Sequence, residues 1–428
     1  MNKIKPIFKV LFFAFILKLV VSFLVWHPDV NNHIDWGIRF WQYGPAKFYA
    51  PESNVWSFTW PNQPPGTMYM FAAVRKLYEV LFAFFSYLHF DLKVFPGSFL
   101  LYFEQSLYPA LTKLPGILSD LGIAYVIYKI IFKELKVSEK VATIGAIVFL
   151  INPATWYNST IWGQYDSVIN FLALLAFYFL LKRELMPAIL AISISLYIKA
   201  SLLIFLPIFA VIALRQKYNL KKWLIAIVST LFVIGLITLP FSNGEPFVWL
   251  LNLYKDKVFT NQLQIITANA FNLWAALTGI SEQPQTLPFL GLTFQYWSYI
   301  LFLFFFAPVL VFVYRKQDFK TAVWSLAITA FASFMLLTNM HERYLYPVFP
   351  YFTILVATQI ELVANYTAVS IISLLNMYNF WWMPLIPSLV AFMSGDGRIV
   401  PRVLGAINLL LFIFLYIRFL RQTRAGKI

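Results

Sequence analysis

The chain of 428 residues contains no cysteine, which excludes disulfides, thiolate nucleophiles, iron–sulfur clusters and cysteine zinc sites. Charge is also scarce: 12% of the residues are Asp, Glu, Lys or Arg, against roughly a quarter in soluble globular proteins. Histidine occurs only at His27, His33, His89 and His341, without an HExxH motif or a paired spacing that would hold zinc. His27, His33 and Asp29 read as solvated loop residues rather than as a metal site, and no metal is expected. No glycine-rich loop is present to cradle a nucleotide phosphate, no internal repeat recurs at a fixed period, and no low-complexity linker divides the chain.

Apolar residues are what the sequence has in excess. They make up 61% of it, with 45 Phe and 14 Trp, and the runs 141–151, 301–314 and 321–338 carry almost no charge. A mean hydropathy of +0.72 excludes a soluble enzyme, a disordered tail or a coiled coil, and the long runs do not fit the alternating strands of an outer-membrane barrel. The expected fold is all-α: a polytopic helical membrane protein forming one domain, 1–428. About twelve transmembrane helices are expected, near 7–26, 113–132, 141–153, 167–181, 185–198, 200–214, 223–240, 291–314, 321–338, 346–362, 367–386 and 401–420. Several of these runs are short for a crossing of about 20 residues, and short or broken spans tend to line cavities.

Lys and Arg number 33 against 18 Asp and Glu, for a net charge of +15. If the N-terminus is cytoplasmic, the strips 1–9, 133–140, 182–184, 215–222, 315–320 and 418–428 hold 19 basic residues in 45 positions. The opposite side holds nine in 172. The asymmetry predicts that both termini are cytoplasmic, and it accounts for the positive charge without nucleic acid. Lys3, Lys5 and Lys9 precede the first apolar stretch, but no small-residue cleavage site follows before Trp26 and His27, so an uncleaved first helix is expected.

Two large extracytoplasmic loops are expected, at 27–112 and 241–290. The first contains Trp36, Trp41, Trp56 and Trp60 and a helical stretch at 67–88 that includes Arg75 and Lys76, which predicts helices lying along the membrane surface. The rival reading makes 67–88 and 95–111 a transmembrane hairpin, and the cations in mid-span argue against it. Twelve of the eighteen acidic residues, Glu52 among them, fall on the external side.

Four external segments place ionisable groups beside apolar helix ends: His33 to Trp41, Trp162 to Asp166, the junction at Lys199, and Asn339 to Pro347. A lipid-linked phosphosugar would need such a set, because its chain lies between helices, its phosphate sits at headgroup depth and its sugar projects outward. Lysine and arginine would neutralise the phosphate. The phosphate leaves without protonation, so one carboxylate that deprotonates the acceptor hydroxyl completes an inverting site. A transporter or flippase of lipid-linked saccharides is the alternative. It calls for ionisable groups near the bilayer midplane, where only Lys18, Asp120 and Glu361 could sit. A noncatalytic assembly subunit is the third possibility.

Asp35 with Trp41, then Gly44, Tyr49 and Pro64-Pro65-Gly66, resemble the first loop of GT-C glycosyltransferases. The segments WGQYD at 162–166 and MHERYLYP at 340–347 sharpen the match. Over residues 10–350 the chain resembles bacterial and archaeal mannosyltransferases related to the second mannosyltransferase of GPI-anchor synthesis. This resemblance implies a polyprenyl-phosphate-sugar donor, a glycan or glycolipid acceptor, and transfer of a hexose, mannose first, with inversion and without a cofactor. It also implies a prokaryotic plasma membrane with the active site outside the cytoplasm. Carried over residue by residue, it makes Asp35 the general base, with Asp29 as the alternative. Asp166 and Gln164 would shape the substrate pocket, Lys199 would lie beside the phosphate, and His341, Glu342 and Arg343 would line the donor headgroup.

Overall fold

The computed structural model describes residues 5–50, 61–259, 263–280, 282–316 and 318–424; Lys3, Glu52, Trp56 and Trp60 lie outside the described residues. Among the described residues the protein is all-α, apart from one short ribbon that pairs Pro288–Phe289 with Leu292–Thr293. The chain opens with α1 (Pro6–Ser22), α2 (Asp29–Phe48), α3 (Pro65–Phe90), α4 (Gly97–Thr112) and α5 (Leu114–Lys129). It continues with α6 (Glu139–Leu150), α7 (Pro153–Trp156), α8 (Asp166–Leu181), α9 (Leu185–Ile198), α10 (Leu206–Arg215) and α11 (Leu220–Thr238). After α12 (Pro246–Leu253) and α13 (Leu273–Thr278) come α14 (Phe294–Arg315), α15 (Phe319–Leu336) and α16 (Val348–Thr358). The chain closes with α17 (Val363–Tyr378), α18 (Pro387–Ser394) and α19 (Ile399–Arg424).

Each of the twelve expected stretches is largely helical, but among the described residues six helices are long and apolar enough to cross a membrane. They are Leu114–Glu134, Leu220–Phe241, Phe294–Arg315, Phe319–Leu336, Ile360–Tyr378 and Ile399–Gln422. Shorter apolar helices, Asp166–Leu181, Leu185–Ile198, Ala200–Arg215 and Val348–Thr358, pack among them. Polar caps start several helices: Asn219, Thr293 and Asp318 accept from the amides of Lys222, Tyr296 and Thr321.

The centre of the bundle is α15, buried at every position from Thr321 to Leu336 and packed against α14, α16 and α19. From Thr321 to Leu336 it carries no charge, and its hydroxyls at Thr321, Ser325, Thr329 and Ser333 are small, so it can be enclosed on all sides. It ends at Leu336 beside the segment that carries His341 to Arg343.

Two buried lysines fix the start of the bundle. Lys18 of α1 donates to Asp120 Oδ2 of α5 at 2.8 Å, and Tyr346 donates its hydroxyl to Asp120 Oδ1 at 2.6 Å. Lys113 donates to the carbonyls of Ser22 and Val25 at 2.8 and 2.6 Å, so its buried amino group satisfies the carbonyl-rich end of α1. The deep charges are therefore paired within the protein, and Glu361 is exposed and bridges to Arg418 at 2.6 Å.

In the first expected loop, α3 and α4 pack as a hairpin, and neither is among the helices apolar enough to cross a membrane. Arg75 and Lys76 both pair with Glu79, at 2.8 and 2.7 Å. The helix expected at 367–386 stops at Tyr378. Asn379 ties back to the 269 region, its carbonyl accepting from the Asn269 amide at 2.8 Å, and Tyr157 donates to the Met383 carbonyl at 2.6 Å. Residues 379–386 thus become a turn, which brings Trp381 to the cavity described next.

Candidate functional site

The site is built outward from one glycine. A π-helical segment, Tyr157–Trp162, unwinds into Gly163 at φ +84°, a left-handed conformation that L side chains rarely adopt. The amides of Gly163 and Gln164 both donate to the Asn158 carbonyl, at 3.1 and 2.9 Å. A Cβ on Gly163 would lie 2.6 Å from Val30 Cγ2, so the missing side chain lets the first turn of α2 seat against this bend. That seating delivers two donors to one carboxylate: the Trp162 indole and the Gln164 amide reach Asp29 Oδ2 at 3.0 and 2.6 Å.

A cavity of about 530 Å³ opens beside this pairing. From α2 it is lined by Asp29, Asn32, His33 and Trp36, the i, i+3, i+4, i+7 spacing of a single helical face. Asp35 lies off that face, roughly 110° around the helix from its centre at 3.6 residues per turn. Its carboxylate accepts from Arg39 Nε at 2.7 Å, and it is not among the lining residues. Of the two α2 carboxylates it is Asp29, not Asp35, that lines the cavity, together with Glu342 from the 340–347 segment.

Gln164, Lys199, His341, Glu342 and Arg343 line the same cavity. Lys199 caps α9 in an extended conformation, is buried, and donates to Asp166 Oδ1 at 2.5 Å. Its ammonium lies 5.0 Å from the Tyr344 ring centroid. Arg343 donates to Glu342 Oε1 at 2.9 Å, approaches Asp166 Oδ2 to 3.8 Å, and has its guanidinium over the Trp162 ring. Asp166 therefore stands behind the two cations, lining an adjoining recess with Arg343 and Tyr344 rather than the main cavity. The backbone at Met340 and His341 is anchored by ladder pairing with Ala268 and Asn269, which ties this turn to the 265–269 segment.

Burial dominates the protonation of the lining groups. It pushes His27 down to about 4 and His33 and His341 down to about 3, so all three imidazoles are neutral at physiological pH. For Asp29, burial opposes ionisation, but the opposing charge of Arg343, aided by His27 and the Trp162 indole, holds the carboxyl below its usual range. Glu342 goes the other way, because its burial outweighs the neighbouring guanidinium and raises it.

Several atoms at the cavity wall have no protein partner. His33 Nδ1 and Asn32 Oδ1 are buried without a hydrogen bond among the described residues, and His33 stacks on Phe71 with ring centroids 4.3 Å apart. Buried polar atoms are rarely left so, and those at a cavity wall suit a ligand's hydroxyls. Among the described residues, no group of three or more His, Asp or Glu side chains is arranged to hold a metal ion.

Asn32, Trp36, Gln63, Tyr344 and Trp381 join the site without having been singled out as binding residues. The helical spacing from Asp29 would have found Asn32 and Trp36. Trp381 had no local signal, since its position depends on the early end of α17. No protein-family model matches the chain, and no curated protein matches it. The fold and the cavity define an all-α membrane-type protein with a charged cavity at one end of its bundle.

Proposed function

We propose that this protein is an inverting glycosyltransferase of the GT-C type, moving a hexose from a polyprenyl-phosphate donor to a glycan or glycolipid acceptor. The observation that carries this reading is the convergence of Asp29 with two cations, Lys199 and Arg343, on a single cavity whose other carboxyl group, Glu342, is taken up by Arg343. In this reading the acceptor hydroxyl gives its proton to Asp29 and its oxygen attacks the anomeric carbon. The bond from that carbon to the phosphate oxygen breaks, and polyprenyl phosphate leaves with the electron pair. Lys199 and Arg343 stabilise the phosphate, and no acid is needed because the leaving group is already a weak base.

The secondary features agree with this assignment. Neutral His33 and Asn32 offer unpaired polar atoms to sugar hydroxyls, while Trp36 and Trp381 supply flat apolar surface at the cavity wall. Burial raises the Glu342 carboxyl above the usual glutamate range, while Arg343 donates to it at 2.9 Å and is held at the cavity wall. The paired state of Lys18 and Asp120 weakens the carrier alternative, whose deep charges would have to face a substrate path. The shorter helices complete a set of about twelve spans, with both termini cytoplasmic and the cavity opening on the outer side of a prokaryotic plasma membrane. Mannose is the first sugar to test.

The test is reconstitution of the purified protein in lipid with labelled polyprenyl-phosphate-mannose, the glucose analogue, and a membrane glycolipid extract. Label appearing in an acceptor supports the transferase. Absence of transfer from either donor, with accelerated movement of the lipid-linked sugar across the vesicle, overturns it in favour of a carrier.

A further inference from the structure

A second recess lies at the opposite end of the bundle, independent of the transferase reading. The helix α8 runs 16 residues from Asp166 at the site to Leu181, roughly 24 Å away, and α15 ends at the site but begins at Phe319. Between their far ends is a cavity of about 240 Å³. Three cations from three separate connections face it: Arg183 from the α8–α9 turn, Arg215 from the end of α10, and Lys316 from the end of α14.

The recess is built, not merely charged. Gln216 donates to the Leu180 carbonyl at 2.7 Å and ties α10 to α8, while the Arg215 guanidinium lies 4.8 Å from the Tyr314 ring centroid. Arg183 sits at φ +58°, uncommon for a side chain of this size, and its backbone N–H donates a hydrogen bond to the Leu180 carbonyl at 3.0 Å. The one carboxylate in the lining, Asp318, commits both oxygens to Thr321, at 2.7 Å each. The floor is apolar, formed by residues such as Phe177, Ile212 and Val313, and the neighbouring outer surfaces of α10 and α14 expose Leu214 and Val311.

A general excess of positive charge at one membrane face explains cations pointing into water. It does not explain three of them around a recess with an apolar floor beside exposed apolar helix surface. Cations around a phosphate-sized recess, with acyl-compatible surface next to it, match an anionic phospholipid. We propose that this recess binds the phosphate headgroup of such a lipid, with its chains along α10 and α14. Arg183 and Lys316 grip the phosphate, and Arg215 forms the wall.

Native mass spectrometry of the full chain from bilayers of phosphatidylcholine with added phosphatidylglycerol tests this, together with titration of phosphatidylglycerol against the purified protein. The double variant Arg183→Gln/Lys316→Gln is compared with Lys217→Gln/Lys221→Gln, which removes equal charge from the same end outside the recess. The expected result is retained phosphatidylglycerol and unchanged affinity in the control, with affinity about thirtyfold weaker in the recess variant. Equal loss in both variants would reduce the effect to a diffuse positive face and overturn the site, as would no loss in either. A parallel titration with inorganic phosphate separates the two sources of the same chemistry. Stabilisation by phosphate alone, with no further gain from phosphatidylglycerol, would overturn the lipid assignment.

Discussion

Gln164 donates its side-chain amide to Asp29 Oδ2 at 2.6 Å, joining positions 135 residues apart in the chain. This bond, with the parallel one from Trp162, orients the carboxylate that the cavity presents. It exists because Gly163 allows α2 to seat against the bend that precedes α8.

Gly163→Ala is therefore expected to destabilise the protein by roughly 2 to 5 kcal/mol, from the left-handed backbone and the overlap with Val30 together. Adding Val30→Ala should recover the overlap part and leave the backbone part. Thermal melting of the single and double variants measures both. A Gly163→Ala protein as stable as the wild type would remove the bend from the account of how Asp29 is placed.

Lys18→Met or Asp120→Asn alone should each cost about 3 to 5 kcal/mol, because each strands a buried partner. The double variant should cost less than the sum, since no charge is left unpaired. Strict additivity in a double-mutant cycle would contradict the pairing.

The three neutral histidines give the protein an acid-sensitive fold. In the unfolded chain they take up protons near pH 6.5, whereas in the folded protein they hold out to about 4 or 3. As the pH falls below 6.5 the unfolded state binds more protons, and stability declines. Glu342, raised by burial, contributes with the opposite sign above its ordinary value of 4.5, one group against three. The lowered Asp29 matters only below its ordinary 3.8. The melting temperature should therefore fall between pH 7 and pH 5, and His33→Phe should remove about a third of that loss while keeping the stack on Phe71. A melting temperature that holds or rises over this window would contradict the neutral assignment.

Lys199→Ala and Arg343→Ala should each raise the donor KM about tenfold to a hundredfold, the range for losing a charge-assisted hydrogen bond. Kinetics with varied donor and saturating acceptor check this, and an unchanged donor KM in both variants would sink the phosphate assignment.

How much was legible beforehand follows from how local each signal is. Apolar runs marked the helices, because a run's composition is a local property; α9 begins and ends where its run does, at Leu185 and Ile198. WGQYD and HERYL led to the cavity because short polar words between apolar runs carry chemistry. The choice between Asp29 and Asp35 was different in kind. The two carboxylates sit six residues apart on one helix, and which of them faces the cavity depends on how α2 is rotated about its axis. That rotation is set by the seating of Val30 on Gly163, a contact between distant residues that no local pattern records. Trp381 was hidden for the same reason, since the apolar stretch at 367–386 continues past the point where Asn269 and Asn379 end α17.

The most direct measurement is the initial rate of sugar transfer by reconstituted Asp29→Asn and Asp35→Asn proteins, each first shown to melt like the wild type. Asp29→Asn should lose about two to four orders of magnitude in rate, the usual worth of a positioned general base, with donor affinity retained. Asp35→Asn should stay within about threefold of the wild type, since its carboxylate serves an ion pair with Arg39 outside the cavity lining. Undiminished transfer by the Asp29→Asn protein would contradict the account, and loss confined to Asp35→Asn would return the base to the other carboxylate of α2.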